Sequence, residues 1–430
     1  MTSKPAETGS LQDDIPAAPP PQPLVPLRRN KNFQALWTSE SFAAVAKETA
    51  EFAYPLLILA TTGSALYAGT VASLQVVVTG LVSIPAGTLA DRFDRKLLLV
   101  VCNLVRVVLL GLFGLAIASD AVTFPLVLGI AMSSSVFLSL SQPAGIAAIK
   151  SLVPPEQVTT AISQNQIRFF GATLLGPPIG GFLFGLNRAF PYLGAALGFV
   201  FSTLLLLVIK KPMQAEATVD NDGKRHAIEG FRFIRRNPIL LVMLTWVMGS
   251  NMVFNHTGLF IALTATAHSE EMSSATTGAA VAFAGGGGLI GSLIASKVLK
   301  TLKPRTIMLY AAWVGPVAAL LLSFTPPLMV MGVIIGFVFL RGPIVGSLFL
   351  SYVSVLAPDK LQGRVLGAVF FLSIIVQPLG IFLIGTIFDY AGPVAVFLFI
   401  LAVAAPTALL TLTPTIRNLR RPDELEESKA

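Results

Sequence analysis

Twelve runs of predominantly apolar residues, each about 20 long, take up nearly all of the chain after residue 30. They are centred near residues 46, 78, 108, 134, 173, 200, 251, 285, 314, 338, 376 and 401. A run of that length spans the hydrocarbon core of a bilayer as a helix. In lipid the backbone must satisfy its own hydrogen bonds, which leaves helices as the structure such runs adopt. The expected fold is therefore an all-α membrane protein of twelve transmembrane helices, with no room for a soluble domain. Only 12% of the 430 residues are charged and 54% are hydrophobic, whereas soluble domains carry about 25% charged residues.

The net charge of +8 would suit nucleic acid, but its distribution excludes that partner. Of the 30 lysines and arginines, 23 fall before the first run and in alternate loops, at 28–31, 92–96, 150, 210–236, 297–305, 360–364 and 417–421. The other loops hold Arg188 beside Asp120, Glu270, Glu271 and Asp389. This is the positive-inside pattern, and it predicts an even number of crossings with both termini in the cytoplasm. Cys102 is the single cysteine, so an internal disulfide is excluded. The three histidines, His226, His256 and His268, have no metal-ligand spacing. No metal and no cofactor are expected.

Residues 1–27 are Pro-rich and polar and read as a disordered cytoplasmic tail. The longest polar interruption, 210–237, divides the runs six and six. The predicted organisation is a six-helix bundle over 28–209, a cytoplasmic linker over 210–237, a second bundle over 238–415 and a tail over 416–430. LRRNKNFQALW at 27–37 resembles IRRNPILLVMLTW at 234–246, and LVPPEQV at 152–158 resembles VLAPDKL at 355–361. Two matches in order at nearly equal offset indicate a duplicated unit, the parallel-repeat architecture of a rocking transporter. Phe231, Arg232, Ile234, Arg235 and Arg236 either form a short amphipathic helix on the inner surface or belong to a plain basic connection.

Seven ionisable residues lie inside predicted spans: Glu40, Lys47, Glu48, Glu51, Arg106, Arg168 and Arg341. Facing lipid, each would cost about 2.5–3.5 kcal/mol at a helix centre. They are expected to face water or one another. Glu40, Lys47 and Glu51 share one helical face within about 40° of arc, with Glu48 about 80° from Glu40. On this reading the face lines a central cavity, and Glu48 or Glu51 exchanges a proton whose binding is set by burial and by Lys47. Arg168 or Arg341 opposes that charge or holds an anionic substrate group. The alternative is an ion-pair network that only braces the halves. Asn251 and Asn255 share a face beside His256, and Trp246, Phe337 and Tyr54 are candidates for stacking on a substrate. The glycines at 285–288 have no following Lys-Ser/Thr and form no nucleotide loop.

GTLADRFDRK at 87–96 resembles the major facilitator superfamily signature GxLaDRxGRKxxl, with Gly87, Leu89, Asp91, Arg92, Arg95, Lys96 and Leu99 at matching positions and Asp94 in place of the second glycine. The resemblance implies a latch: Gly87 permits close helix approach, Asp91 sits at the N-terminus of the eleventh helix near Gly363 to Val365, and the three cations pair with acidic residues of the other half. GATLLGPPIGGFLFG at 171–185 contains Gly176, Pro177, Gly180 and Gly181 as GPxxGG and resembles the antiporter motif of exporters in that superfamily. EGFRFIRRNP at 229–238, QGRVLGAVF at 362–370 and Arg168 ahead of GPPIGG resemble its enterobactin-exporter and drug-antiporter branch. Members of that branch carry one acidic residue on the first helix near position 47. What the resemblance implies is export of a small amphiphilic molecule, siderophore or drug-like, by proton antiport. It further implies a monomer in the plasma or inner membrane, with protons, substrate and lipid as partners. An importer on the same fold and a non-transporting sensor or scaffold are the alternatives. No GxSxG or metal spacing supports an enzyme.

Overall fold

A computed structural model of the chain describes residues 26–213 and 223–427. Most of the tail expected over 1–27 and the middle of the 210–237 linker lie outside them. The described residues form helices joined by short turns, with no strand among them. The first half holds α1 (Lys31–Thr62), α2 (Ala65–Arg92), α3 (Arg95–Ala118), α4 (Phe124–Leu152), α5 (Val158–Leu186) and α6 (Phe190–Val208). Helix α7 (Gly223–Arg236) lies in the connection. The second half holds α8 (Pro238–Val253), α9 (His256–Ser269), α10 (Ser274–Thr301), α11 (Pro304–Ser323), α12 (Leu328–Leu356), α13 (Asp359–Ile375) and α14 (Gln377–Leu409).

Polar side chains set the helix starts. Asn30, Ser64, Asp94, Asn237, Asn255 and Ser273 each accept a hydrogen bond from a backbone N–H of the first turn of α1, α2, α3, α8, α9 and α10, satisfying a donor that the helix leaves open. Asp94 explains the one departure in the 87–96 segment. Its Oδ1 accepts from the Leu97 N–H at 2.8 Å, so a capping carboxylate starts α3 where the pattern has a glycine. Gly63 ends α1 with φ 68°, a conformation only glycine adopts freely.

Ten stretches are long and apolar enough to cross a membrane. One, Pro238–Ser269, is α8 and α9 in series, and another, Leu361–Leu412, covers 52 residues and breaks inside α14 at Gly392 (φ 75°). Helix α1, with Lys47, Glu48 and Glu51 in its second half, is not among the ten. The arrangement is compatible with the twelve crossings expected. Large apolar side chains such as Leu81, Ile84, Val108, Leu112, Leu115 and Phe182 point outward, an area of hydrocarbon that suits lipid and not water.

Two ends of the molecule differ. One carries the basic loops and both described termini; the opposite end, called outer after the expectation from the basic loops, carries Asp120, Glu271 and Asp389. Towards the outer face the apolar core crosses between halves: Ile261, Ala265 and Ile381 pack with Tyr54, Phe113 and Tyr192, and Phe52 packs with Phe260 and Leu263. Towards the basic face the two cores are separate, one built from residues 27–213 and the other from residues 234–425. The crossing is made by α5 on α10 and by α2 on α14. Glycines allow both: a Cβ on Gly278 would overlap the Pro177 carbonyl, and one on Gly385 would overlap the Ala65 carbonyl. The seam is thus closed on the outer side, and Gly87, Gly363 and Gly367 near the basic side have open space around them. Helix α7 packs on α13, with Gly230 against the Arg364 carbonyl and Glu229 ion-paired to Arg364. On it Ile234 is buried, and Phe231, Arg232, Arg235 and Arg236 are exposed or nearly so.

Candidate functional site

The charges of α1 divide into two groups about 10 Å apart along the axis. The deeper group is Lys47, Glu48 and Glu51. Lys47 Nζ lies 2.9 Å from Glu48 Oε1 and 2.9 Å from Glu51 Oε2. Glu48 is only 3% exposed. Helical spacing makes Lys47 and Glu51 an i,i+4 pair, and the long lysine stem turns to reach the adjacent Glu48 as well. His256, at the first position of α9, completes the group: its ring, Glu48 and Glu51 bring their ligand-type atoms within 4.8 Å of one another. Three such groups resemble a cation site, and Lys47 already supplies the cation.

Helix α5 shapes the pocket wall. It runs parallel to α1, so that Arg168 meets Glu40 and Gly176 meets Glu48 eight residues later. A Cβ on Gly176 would overlap that of Glu48, and one on Gly180 would lie 2.9 Å from the Thr49 carbonyl oxygen. Gly181 abuts the Ser274 carbonyl of α10, and the Pro177 carbonyl abuts Gly278. The GPxxGG segment is therefore the junction of α1, α5 and α10, where the two halves and the buried carboxylate meet.

The second group is Glu40 and Arg168, 2.8 Å apart. They line a cavity of about 460 Å³ with Trp37, Gln142, Asn165, Phe169 and, from the other half, Phe370. Sequence reasoning did not single out these last five residues. Their signal was present: Gln142 and the Gln164–Gln166 run are amides inside otherwise apolar spans. Between the two charge groups, Arg106 is buried, donates to Ser141 Oγ at 3.0 Å and covers the Phe199 ring at 4.7 Å. It shares a small gap with Lys47, Glu51, Gln75 and Ser135.

The remaining expected residues are dispersed. Arg341 is buried in the second half, held by Ser250 Oγ at 2.8 Å and by the carbonyls of Ala311 and Val338, between the rings of Trp246 and Phe254. It does not oppose the α1 carboxylates, which Lys47 and Arg168 contact instead. Trp246, Phe337 and Tyr54 are not brought together. Trp246 serves Arg341, Tyr54 packs on Phe113 and Tyr192 in the first half, and Phe337 joins Tyr310 and Trp313 in a groove between α11 and α12. Asn251 donates to the Ser373 carbonyl at 3.1 Å and Asn255 caps α9 at the break after Val253, so both hold broken helices in place. Arg341→Ala would leave Ser250 and two buried carbonyls short of a donor, and is expected to lower unfolding free energy by about 1–3 kcal/mol, read as a lower thermal midpoint in detergent.

In the 87–96 segment, Asp91 is largely exposed and lies 3.8 Å from Arg95. Arg95 donates to Ser151 Oγ and the Met213 carbonyl, and Lys96 Nζ donates to the Ile209 carbonyl at 2.8 Å. Lys96 thus serves the end of α6, where helix carbonyls lack partners, and Arg95 ties the segment after α6 to the end of α4. The sequence reading sent them across to acids of the other half. Arg92 is exposed, and Gly87 touches no neighbour.

Helical halves packed around a seam of buried charge, with ten stretches long and apolar enough to cross a bilayer, define a multi-pass membrane protein. The chain belongs to the Major Facilitator Superfamily, whose profile matches residues 36–380. It is 26% identical over 396 residues to the "Multidrug efflux pump Tap" of Mycolicibacterium fortuitum, covering 85% of this chain and 92% of the relative. It is 24% identical over 379 residues to the "Enterobactin exporter EntS" of Escherichia coli O1:K1 / APEC, covering 86% and 88%. Among solved structures, a bacterial homologue of the iron transporter ferroportin in an inward-facing state matches with a TM-score of 0.69 at 14% identity, over 90% of this chain and 99% of that one. At that identity the likeness shows the fold alone.

Proposed function

We propose that the protein is a secondary active exporter. It moves a small amphiphilic molecule, siderophore or drug-like, outward in exchange for protons, and its halves at 28–209 and 238–415 rock about the seam to expose the site to each side in turn. Both termini and the 210–237 linker lie in the cytoplasm, the chain works as a monomer, and the membrane is the plasma or inner membrane. The observation that carries this reading is Glu48: a carboxylate buried in a span, bonded to Lys47 and pressed on Gly176 and His256 where the halves meet. Protonation there breaks the Glu48–Lys47 ion pair, leaves Lys47 paired with Glu51 alone and changes the charge of the seam. Export is supported by the names of the two relatives and by the position of the GPxxGG junction.

The cavity around Glu40 and Arg168 receives substrate from the basic face. A catecholate or carboxylate would compete with Glu40 for Arg168. Arg168→Gln is expected to lower transport of anionic substrates about tenfold and to leave neutral ones unchanged. In the closed state of the basic face, Asp91 caps the start of α13. The overall reading is tested in inverted vesicles, by uptake of a candidate compound with and without an imposed proton gradient. Gradient-independent uptake would end the antiport claim. Comparing compounds secreted by a deletion strain in iron-poor and iron-rich medium identifies the substrate class.

A further inference from the structure

At the outer end of the seam a carboxylate reaches from one half into the other. Asp389, near the end of the first part of α14, faces the start of α2. Its Oδ1 accepts from the Ala65 N–H at 2.7 Å and its Oδ2 from the Leu66 N–H at 3.0 Å, and Ser64 Oγ donates to the same carboxylate. The first backbone donors of a helix have no intrahelical acceptor and carry partial positive charge. Asp389 satisfies two of them in trans, more than 320 residues away in sequence. Ser64 caps α2 locally only at 3.4 Å from the Tyr67 N–H, so the stronger bonds to this helix start come from the other half. One turn further in, Gly385 lies on Ala65 and Gly69, with backbone against backbone.

The same two segments are related at their other ends. Helix α2 ends at Arg92 with Asp91 beside it on the basic face, and α13, which leads into α14, starts on that face. Each antiparallel segment thus carries an aspartate near its C-terminal end; Asp389 is bonded to the start of α2, whereas Asp91 is exposed beside Arg95. We propose that Asp389, with Ser64, is the outer-face latch of the transport cycle: a positioning pair that holds the arrangement seen here and must release α2 before the outer face opens. The inference rests on the alternating-access reading above and adds the residues that set its balance.

Electron spin-label distances in lipid nanodiscs test it, in a chain with Cys102 replaced by serine. One label pair spans the outer face, at Ala121→Cys and Phe324→Cys. The other spans the basic face, at Lys150→Cys and Lys300→Cys. The parent is expected to show two distances for each pair. Asp389→Ala should shift the ratio towards the long outer distance about tenfold, with the basic-face pair moving to its short distance in the same proportion. Ser64→Ala should shift it in the same direction and less. Asp389→Asn, which keeps an acceptor oxygen and loses the charge, should restore part of the parent ratio. Two distances whose ratio ignores Asp389→Ala overturn the latch and leave alternation standing. An outer pair that lengthens while the basic-face pair stays put also overturns it, because that is fraying of one helix end. A single distance per pair in every variant overturns alternation and the latch together.

Discussion

Glu48→Gln is expected to abolish the proposed accumulation driven by a proton gradient and to leave substrate-for-substrate exchange running. One proton moving through 100 mV supplies about 2.3 kcal/mol, which sustains a substrate gradient of about fiftyfold. In the variant that gradient should fall to near unity. Glutamine keeps the shape that packs on Gly176 and still accepts a hydrogen bond from Lys47, so the junction of α1, α5 and α10 survives. What it lacks is a site that gains and loses a proton. Lys47 remains paired with Glu51 at 2.9 Å, so no uncompensated cation is left in the span. Exchange, which requires rocking but no net proton movement, provides the control. An undiminished gradient in Glu48→Gln, measured in proteoliposomes with imposed potential, would move the coupling role elsewhere, with Glu51→Gln the next variant to measure.

The second large effect separates two glycines on one helix. A Cβ on Gly285 would overlap the backbone of Leu174 in α5, across the seam. A Cβ on Gly287 would overlap the carbonyl of Gly336 in α12, inside the second half. Neither neighbour is a flexible side-chain end. Gly287→Ala forces apart two helices of the same half, which the proposed rocking cycle keeps together, and should cost about 1–3 kcal/mol or more in stability, seen as a lower thermal midpoint and poorer yield. Gly285→Ala opposes a contact across the seam, which the proposed rocking cycle requires to open. It should retain most of the parent's stability, lose most of its transport and favour the form with the outer face open. Accessibility of an outer-seam cysteine to an impermeant reagent reads this directly. Equal loss of stability in both variants would contradict the division of α10 between two partners.

Much of this was legible in the sequence for reasons that can be named. Apolar runs of bilayer length, the basic loops and the 87–96 segment lead to the fold class and family that the structure and the comparisons show. The i,i+4 spacing of Lys47 and Glu51 appears as a bond. Glu48 lay off that face by angle, yet the reach of the lysine stem outweighs the angle. Phe337 shows where periodicity fails: α12 is apolar on every side, so no stripe distinguishes its inward face. Asn255 looked like a cavity residue because an amide in a span suggests function, and its work is to cap a helix at a break that no Pro or Gly announces. Arg341 was read as opposing the α1 carboxylates or holding an anionic group because its partners, two backbone carbonyls and the Ser250 hydroxyl, are not displayed by a sequence. Asp389 gave no signal at all, since a lone acid in a short loop is what the positive-inside pattern already expects.

The shared outer core has a consequence for how the protein is made. Tyr54, Phe113 and Tyr192 complete their packing with Ile261, Ala265 and Ile381. During synthesis the first six helices therefore wait for roughly 190 residues more, which at about 5–20 residues per second takes on the order of 10–40 s. Through that interval the nascent first half presents Gly69, Gly181 and the α1 charges on a side with no mate, and an insertase or surrounding phospholipid must shelter it until the ribosome has delivered α9 and α14.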